Sequence, residues 1–216
     1  MLRVNNFIGF GARPAAGSAG GKSVNWQTSA TSGASGSSYT FSSQALGSAA
    51  SDRYVIVSVG LGANSATVSS MTIGGVSATS VVAASGGHHN ASMWIANVPT
   101  GTTGDVVLTL SGSSDRATIG VWASYGLAST TAHDTGSSTA RPATDTLTTL
   151  AGGFAVGYCC NQDGGTVSWT NATERFDEVQ GQVSSGADAT TDGSSLSITA
   201  TQTSTNTNRA AVFATF

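Results

Sequence analysis

The chain has 216 residues, of which 39% are hydrophobic and only 9% charged, with 28 glycines and a formal net charge of −3. That length suits one large domain or two small ones. The charged fraction lies far below the roughly 25% of ordinary globular domains, so the surface must be built from hydroxyl and backbone groups, and with a pI of about 5.4 it is a poor match for nucleic acid.

The charge is unevenly spread. Residues 1–38 hold Arg3, Arg13 and Lys22 and no acid, whereas the rest of the chain sets five arginines against eleven carboxylates, the first of them Asp52. The opening stretch MLRVNNFIGFGARP runs into a Gly/Ala/Ser/Thr-rich tract. Residues 1–38 therefore read as an extended N-terminal arm that docks on an acidic partner. Val4, Phe7, Ile8 and Phe10 are its apolar contacts, Arg3 and Arg13 its cationic ones, and residues 14–38 its spacer. Fully extended at ~3.3 Å per residue, such an arm reaches up to about 125 Å. The apolar run around Phe7 is broken by Gly9 and Gly11 and does not make a secretory leader. No run approaches the ~20 apolar residues of a membrane span.

From Tyr39 the chain becomes short β-type runs separated by Gly, Ser, Asn and Asp. They are 39–41, 54–62 (YVIVSVGLG), 68–73 and 76–83 around the turn signal Gly74-Gly75, 92–98 (SMWIANV), 105–110 and 116–125 (RATIGVWASY). Residues 127–144 are polar, contain Pro142 and read as a linker. A second series follows at 146–150, 153–160, 166–169, 174–179, 182–184, 195–200 and 210–216. No window sustains a 3.6-residue repeat, so the fold class is all-β. The two series align: DRYVIVSVG with GGFAVGYCC, TVSSMTIGG with TVSWTNATE, VVLTLSG with SLSITAT, and DRATIGVWASY with NRAAVFATF. The expectation is two pseudo-repeats, 52–125 and 152–216, pairing as the opposed sheets of one jelly-roll-like β-sandwich of roughly ten to thirteen strands over residues 39–216.

Candidate chemistry is thin. His88 and His89 lie in a loop, with His133 and Asp134 elsewhere, and none has metal-ligand spacing. Glu174, Asp177 and Glu178 cluster in ATERFDEV, but Arg175 sits among them, the pattern of a solvated strand edge. GGKS at 20–23 resembles the end of a phosphate-binding loop, yet the upstream glycine that such a loop requires is absent. Cys159 and Cys160 are adjacent, so in a strand they face opposite ways and read as reduced core residues. Trp94, Trp122 and Trp169 belong to the core, and Trp26 is a packing anchor in the arm. No catalytic residue, metal or cofactor is assigned.

The NNFIGFGA segment, the Gly/Ser tract and the phrases SMTIGGVSATSV, VPTGTTGDVVLTLSGSSDRATIGVWA and WTNATERFDEV resemble small β-rich virion structural proteins of tailed bacteriophages, among them capsid decoration (cement) proteins and head or tail accessory proteins. The resemblance implies a non-enzymatic virion protein, assembled in the bacterial cytoplasm, that bridges major capsid subunits through Arg3, Val4, Phe7, Ile8, Phe10 and Arg13. It implies a homo-oligomer, with a trimer as one form, and neither nucleic acid nor membrane as partner. The alternative is a head or tail fibre, or a receptor-binding module that recognises host glycans.

Overall fold

A computed structural model describes residues 21–62, 66–162 and 164–216. They form seventeen strands, more than the ten to thirteen expected, and no helix appears among the described residues. The first half holds β1 (Ser23–Ser32), β2 (Gly36–Ala45), β3 (Tyr54–Gly62), β4 (Val68–Ile73), β5 (Val76–Ser77), β6 (Thr79–Gly86), β7 (His89–Asn97), β8 (Thr103–Ser114) and β9 (Arg116–Tyr125). The second holds β10 (Asp134–Ser138), β11 (Ala143–Leu147), β12 (Ala151–Gln162), β13 (Val167–Thr170), β14 (Thr173–Val179), β15 (Gln182–Asp192), β16 (Leu196–Gln202) and β17 (Arg209–Thr215).

The two halves share one topology. The first makes sheets β1-β9-β3-β7-β6 and β2-β8-β4-β5, and the second makes β10-β17-β12-β15-β14 and β11-β16-β13. Each half is therefore a complete jelly-roll-like sandwich, not one sheet of a shared sandwich. The repeats are also longer than the sequence suggested. β1 and β2 carry the first back to Ser23, and β10 and the start of β11 fall within the 127–144 stretch read as a linker. Residues 23–38 are likewise strand and turn, not spacer. Val24 and Trp26 pack toward the other half, while Ala30 packs into the first half's own core, and a bulge between Trp26 and Thr28 makes that change of face.

The two sandwiches stack through their five-stranded sheets, giving four layers. Val55, Val57, Val59 and Leu61 of β3 face the first sandwich's core, and Ile56 faces the seam between sandwiches. In β12, Ala155 and Cys159 face the second core, and Phe154, Val156, Tyr158 and Cys160 face the seam. Burial on both faces explains why YVIVSVGLG and FAVGYCC read as continuous apolar runs. The outer sheets alternate instead: in β8, Val106, Leu108 and Leu110 are buried between exposed or half-buried neighbours.

At the seam, β1 lies over β14 and β6 over β10, the reciprocal pattern of a local two-fold axis. Trp26 stacks on Phe176 with centroids 4.9 Å apart and meets Trp122 edge-on at 5.2 Å. These rings rest on glycine. A Cβ at Gly186 would come within 2.4 Å of Phe176 and 2.7 Å of Trp122, and one at Gly120 within 2.6 Å of Phe176. Gly186→Val should therefore destabilise the chain by at least ~1–3 kcal/mol, the usual cost of overpacking, read as a lower urea midpoint. An unchanged midpoint would show that the seam is loosely packed.

Candidate partner-binding surface

The candidate contacts Arg3, Val4, Phe7, Ile8, Phe10 and Arg13 lie outside the described residues. What the structure places is the point at which the chain enters the fold. Ser23 pairs with Tyr125 at the end of β9. Lys22 then lies at the rim of a groove of about 240 Å³, shared by the two halves and lined by Leu127, Thr131, His133, Leu150 and Phe216. Leu150 is 37% exposed, and the other exposed large apolar residues among those described are Val76 and Val179.

Two of the three acids of β14, Asp177 and Glu178, make structural bonds, and the Arg175 among them is held by Asp188 of β15. Arg175 donates through Nε and Nη2 to Asp188 Oδ2 and Oδ1 at 2.8 and 2.7 Å, and Asp188 Oδ2 also accepts the Trp122 indole N–H at 2.9 Å. This node ties β9 of one half to β15 of the other. The bond to Asp188 raises the Arg175 pKa. Glu178 accepts the Ser29 hydroxyl at 2.6 Å, a further link across the halves, and Asp177 accepts the Val167 amide at 3.1 Å. Partial burial pushes the Asp177 carboxyl up, with the Val167 amide opposing, and burial followed by the Asp177 charge does the same to Glu174.

The remaining sequence candidates are dispersed. His88 lies in the turn before β7, and His89 is buried at its start. Asp134 accepts the Thr148 amide and hydroxyl, and these bonds hold its carboxyl below the usual range. No group of three or more His, Cys, Asp and Glu among the described residues is placed to hold a metal. Cys159 and Cys160 are free, buried and on opposite faces of β12. Burial pushes the Cys159 thiol up to about 12 and raises the Cys160 thiol as well. Trp94 and Trp122 are buried, Trp169 packs against the second core, and Trp26 packs at the seam. A cavity of about 210 Å³ opens between the sheets of the first sandwich, lined by Leu61, Val68, Ser80, Asn90, Ser92 and Trp94.

Sequence reasoning missed Arg53 and Asp188. Arg53 is fully buried and donates from Nε, Nη1 and Nη2 to the carbonyls of Val98, Gly47 and Thr100 at 2.7, 2.6 and 2.8 Å. Its signal is a lone cation at the head of an apolar strand. No helix among the described residues is long and apolar enough to cross a membrane. No family model, curated protein or solved structure matches the chain.

Asp188→Asn should cost about 1–3 kcal/mol, because a charge-assisted pair becomes a weaker bond in a buried place. In an Arg175→Met background the same change should cost clearly less, since the two groups are coupled. Equal costs in a chemical-denaturation cycle would show that the pair contributes nothing.

Proposed function

We propose that this chain is a structural component of a tailed-phage virion, a capsid decoration protein that bridges major capsid subunits through its first residues. The observation that carries the reading is a division of labour along the chain. From Ser23 onward the strands are consumed in building two sandwich cores and the seam between them. The basic, apolar segment with Arg3, Val4, Phe7, Ile8, Phe10 and Arg13 precedes the first described strand. It is therefore the part of the sequence left for a partner, and its three cations contrast with the acidic remainder.

In this reading the stacked sandwiches form a stiff, sparsely charged platform over the capsid surface. The 22 residues before β1 reach up to about 73 Å at ~3.3 Å per residue, enough to cross onto neighbouring subunits. Arg3 and Arg13 pair with acids there, and Val4, Phe7, Ile8 and Phe10 fill apolar hollows. Ordering such a segment costs ~1–2 kcal/mol per residue, so it needs many contacts, and a homo-oligomer adds to them through multivalency.

One observation favours a second reading, a fibre or receptor-binding module for host glycans. The first sandwich's cavity combines an indole wall from Trp94 with the polar groups of Ser80, Asn90 and Ser92, the mixture that small-molecule sites use.

Deleting residues 1–20 should abolish binding to particles while β-type circular dichroism persists. Full decoration by the truncated chain would refute the arm's role. Protein quantification on purified particles separates the two readings. Copies on the scale of the capsid lattice fit a decoration protein, and a few per particle fit a fibre.

A further inference from the structure

Three strands of the second sandwich, β12, β16 and β17, carry buried polar side chains at one end of its core, at positions that are apolar in its twin. In the first sandwich, Leu61 of β3 pairs with Ala117 of β9, and Val68 of β4 pairs with Leu110 of β8. All three of Leu61, Leu110 and Ala117 are buried in the first core. In the second, Asn161 of β12 pairs with Arg209 of β17, and Val167 of β13 pairs with Gln202 of β16. The same end of the same fold therefore carries Asn161, Gln202 and Arg209, which are only 1%, 3% and 5% exposed. Asn161 and Arg209 are cross-strand partners, and Gln202 Nε2 donates to Cys159 Sγ at 2.8 Å, two residues before Asn161 on the same strand.

Several polar atoms of these side chains go without a partner among the described residues. Asn161 Nδ2 and Oδ1, Gln202 Oε1, and Arg209 Nε and Nη1 are buried without a hydrogen-bond partner. Unmade bonds of this kind are costly in a native interior and call for a missing partner. Burial alone does not explain the state of Arg209, since the equally buried Arg53 engages all three of its nitrogens with carbonyls.

The Arg209 guanidinium also has no carboxylate partner among the described residues. Arg116 and Arg175 each use the Nε–Nη2 edge to grip a carboxylate, that of Asp115 or Asp188. On Arg209 that edge has only carbonyls, from Asn206 and at 3.5 Å from Thr205, both on Nη2. Asn208, beside it in the chain, bonds Gln162 instead. A second cation adds to the excess: Arg141 donates to the carbonyls of Thr203 and Ser204 in the same loop and repels the Arg209 charge. Neither forms an ion pair with a carboxylate among the described residues.

The geometry points to a binding site for a small free oxyanion at this end of the second sandwich, under the 203–208 loop. The anion takes the Nε–Nη2 edge of Arg209, displacing the Asn206 carbonyl, with Arg141 supplying outer charge. The Asn161 amide donates from Nδ2. Asn161 Oδ1 and Gln202 Oε1 are acceptors, so the ligand must also offer an O–H. Hydrogen phosphate has both features, and sulfate at neutral pH lacks the O–H. The enclosure of Arg209 favours a free ion over a phosphoryl group carried on a larger molecule.

The test is a thermal-unfolding titration of the full chain at constant ionic strength. The midpoint should climb with the logarithm of phosphate concentration above saturation. Sulfate should act more weakly, and glycerol 2-phosphate should have no effect. The variant Asn161→Leu with Gln202→Leu and Arg209→Ala, which installs the first sandwich's residues, should fold and not respond. Arg141→Ala, at an exposed position, should weaken the response several-fold and keeps the test open if the triple variant does not fold. A wild-type midpoint flat in phosphate, or a triple variant that responds like wild type, would overturn the site. A response to sulfate or to the ester as strong as that to phosphate would overturn the assigned ligand class.

Discussion

The stacking of two five-stranded sheets on each other is the constraint on which the rest of the molecule depends. Each sandwich alone would leave a broad apolar face uncovered, with Ile56, Met93, Ile95 and Trp122 on one side and Phe154, Val156, Tyr158 and Val212 on the other. At ~25 cal/mol per Å² of apolar area, such a face is strongly driven to be covered. The two halves cover each other. Gly120 and Gly186 give the aromatic rings room to sink between the sheets, and the Trp122–Asp188–Arg175 node fixes one sheet's position over the other. With little charge on the surface, packing and not ion pairing carries the stability of this fold.

The stacking also decides what is left for function. Most of the aromatic residues from Trp26 onward are spent on the cores and the seam, Glu178 and Asp177 of β14 are spent on Ser29 and the Val167 amide, and Asp188 of β15 is spent on Arg175. The duplicated halves then diverge at one end. The twin of an apolar patch built by Leu61, Leu110 and Ala117 is the buried polar group of Asn161, Gln202 and Arg209. Divergence between copies of one fold separates what the architecture needs from what a single copy has acquired, because both copies satisfy the same packing problem.

Much of the fold was legible in the sequence. The β3, β9, β12 and β17 segments stand out through dense β-branched and aromatic residues. β1 and β10 did not, because SVNWQTSATS and DTGSS are edge strands with little apolar content. Their polar character concealed how far each repeat extends. The continuous apolarity of YVIVSVGLG was a signal that both faces are buried, and it implied a central sheet. The alignment of DRA with NRA was misleading by one residue: the sheets place Arg209 at the position of Ala117, and a one-residue slip turns a side chain to the opposite face. The polar cluster was invisible for that reason, since residues 161, 202 and 209 converge only through strand register. The arm residues Arg3 to Arg13 were proposed from charge and composition alone, signals that carry no geometry.

The most direct test of the seam's role is scanning calorimetry of the full chain. If the two sandwiches depend on their shared face, they unfold together in one transition whose calorimetric and van't Hoff enthalpies agree. Two resolved transitions, each with its own smaller enthalpy, would contradict the account and show that each half stands without the other.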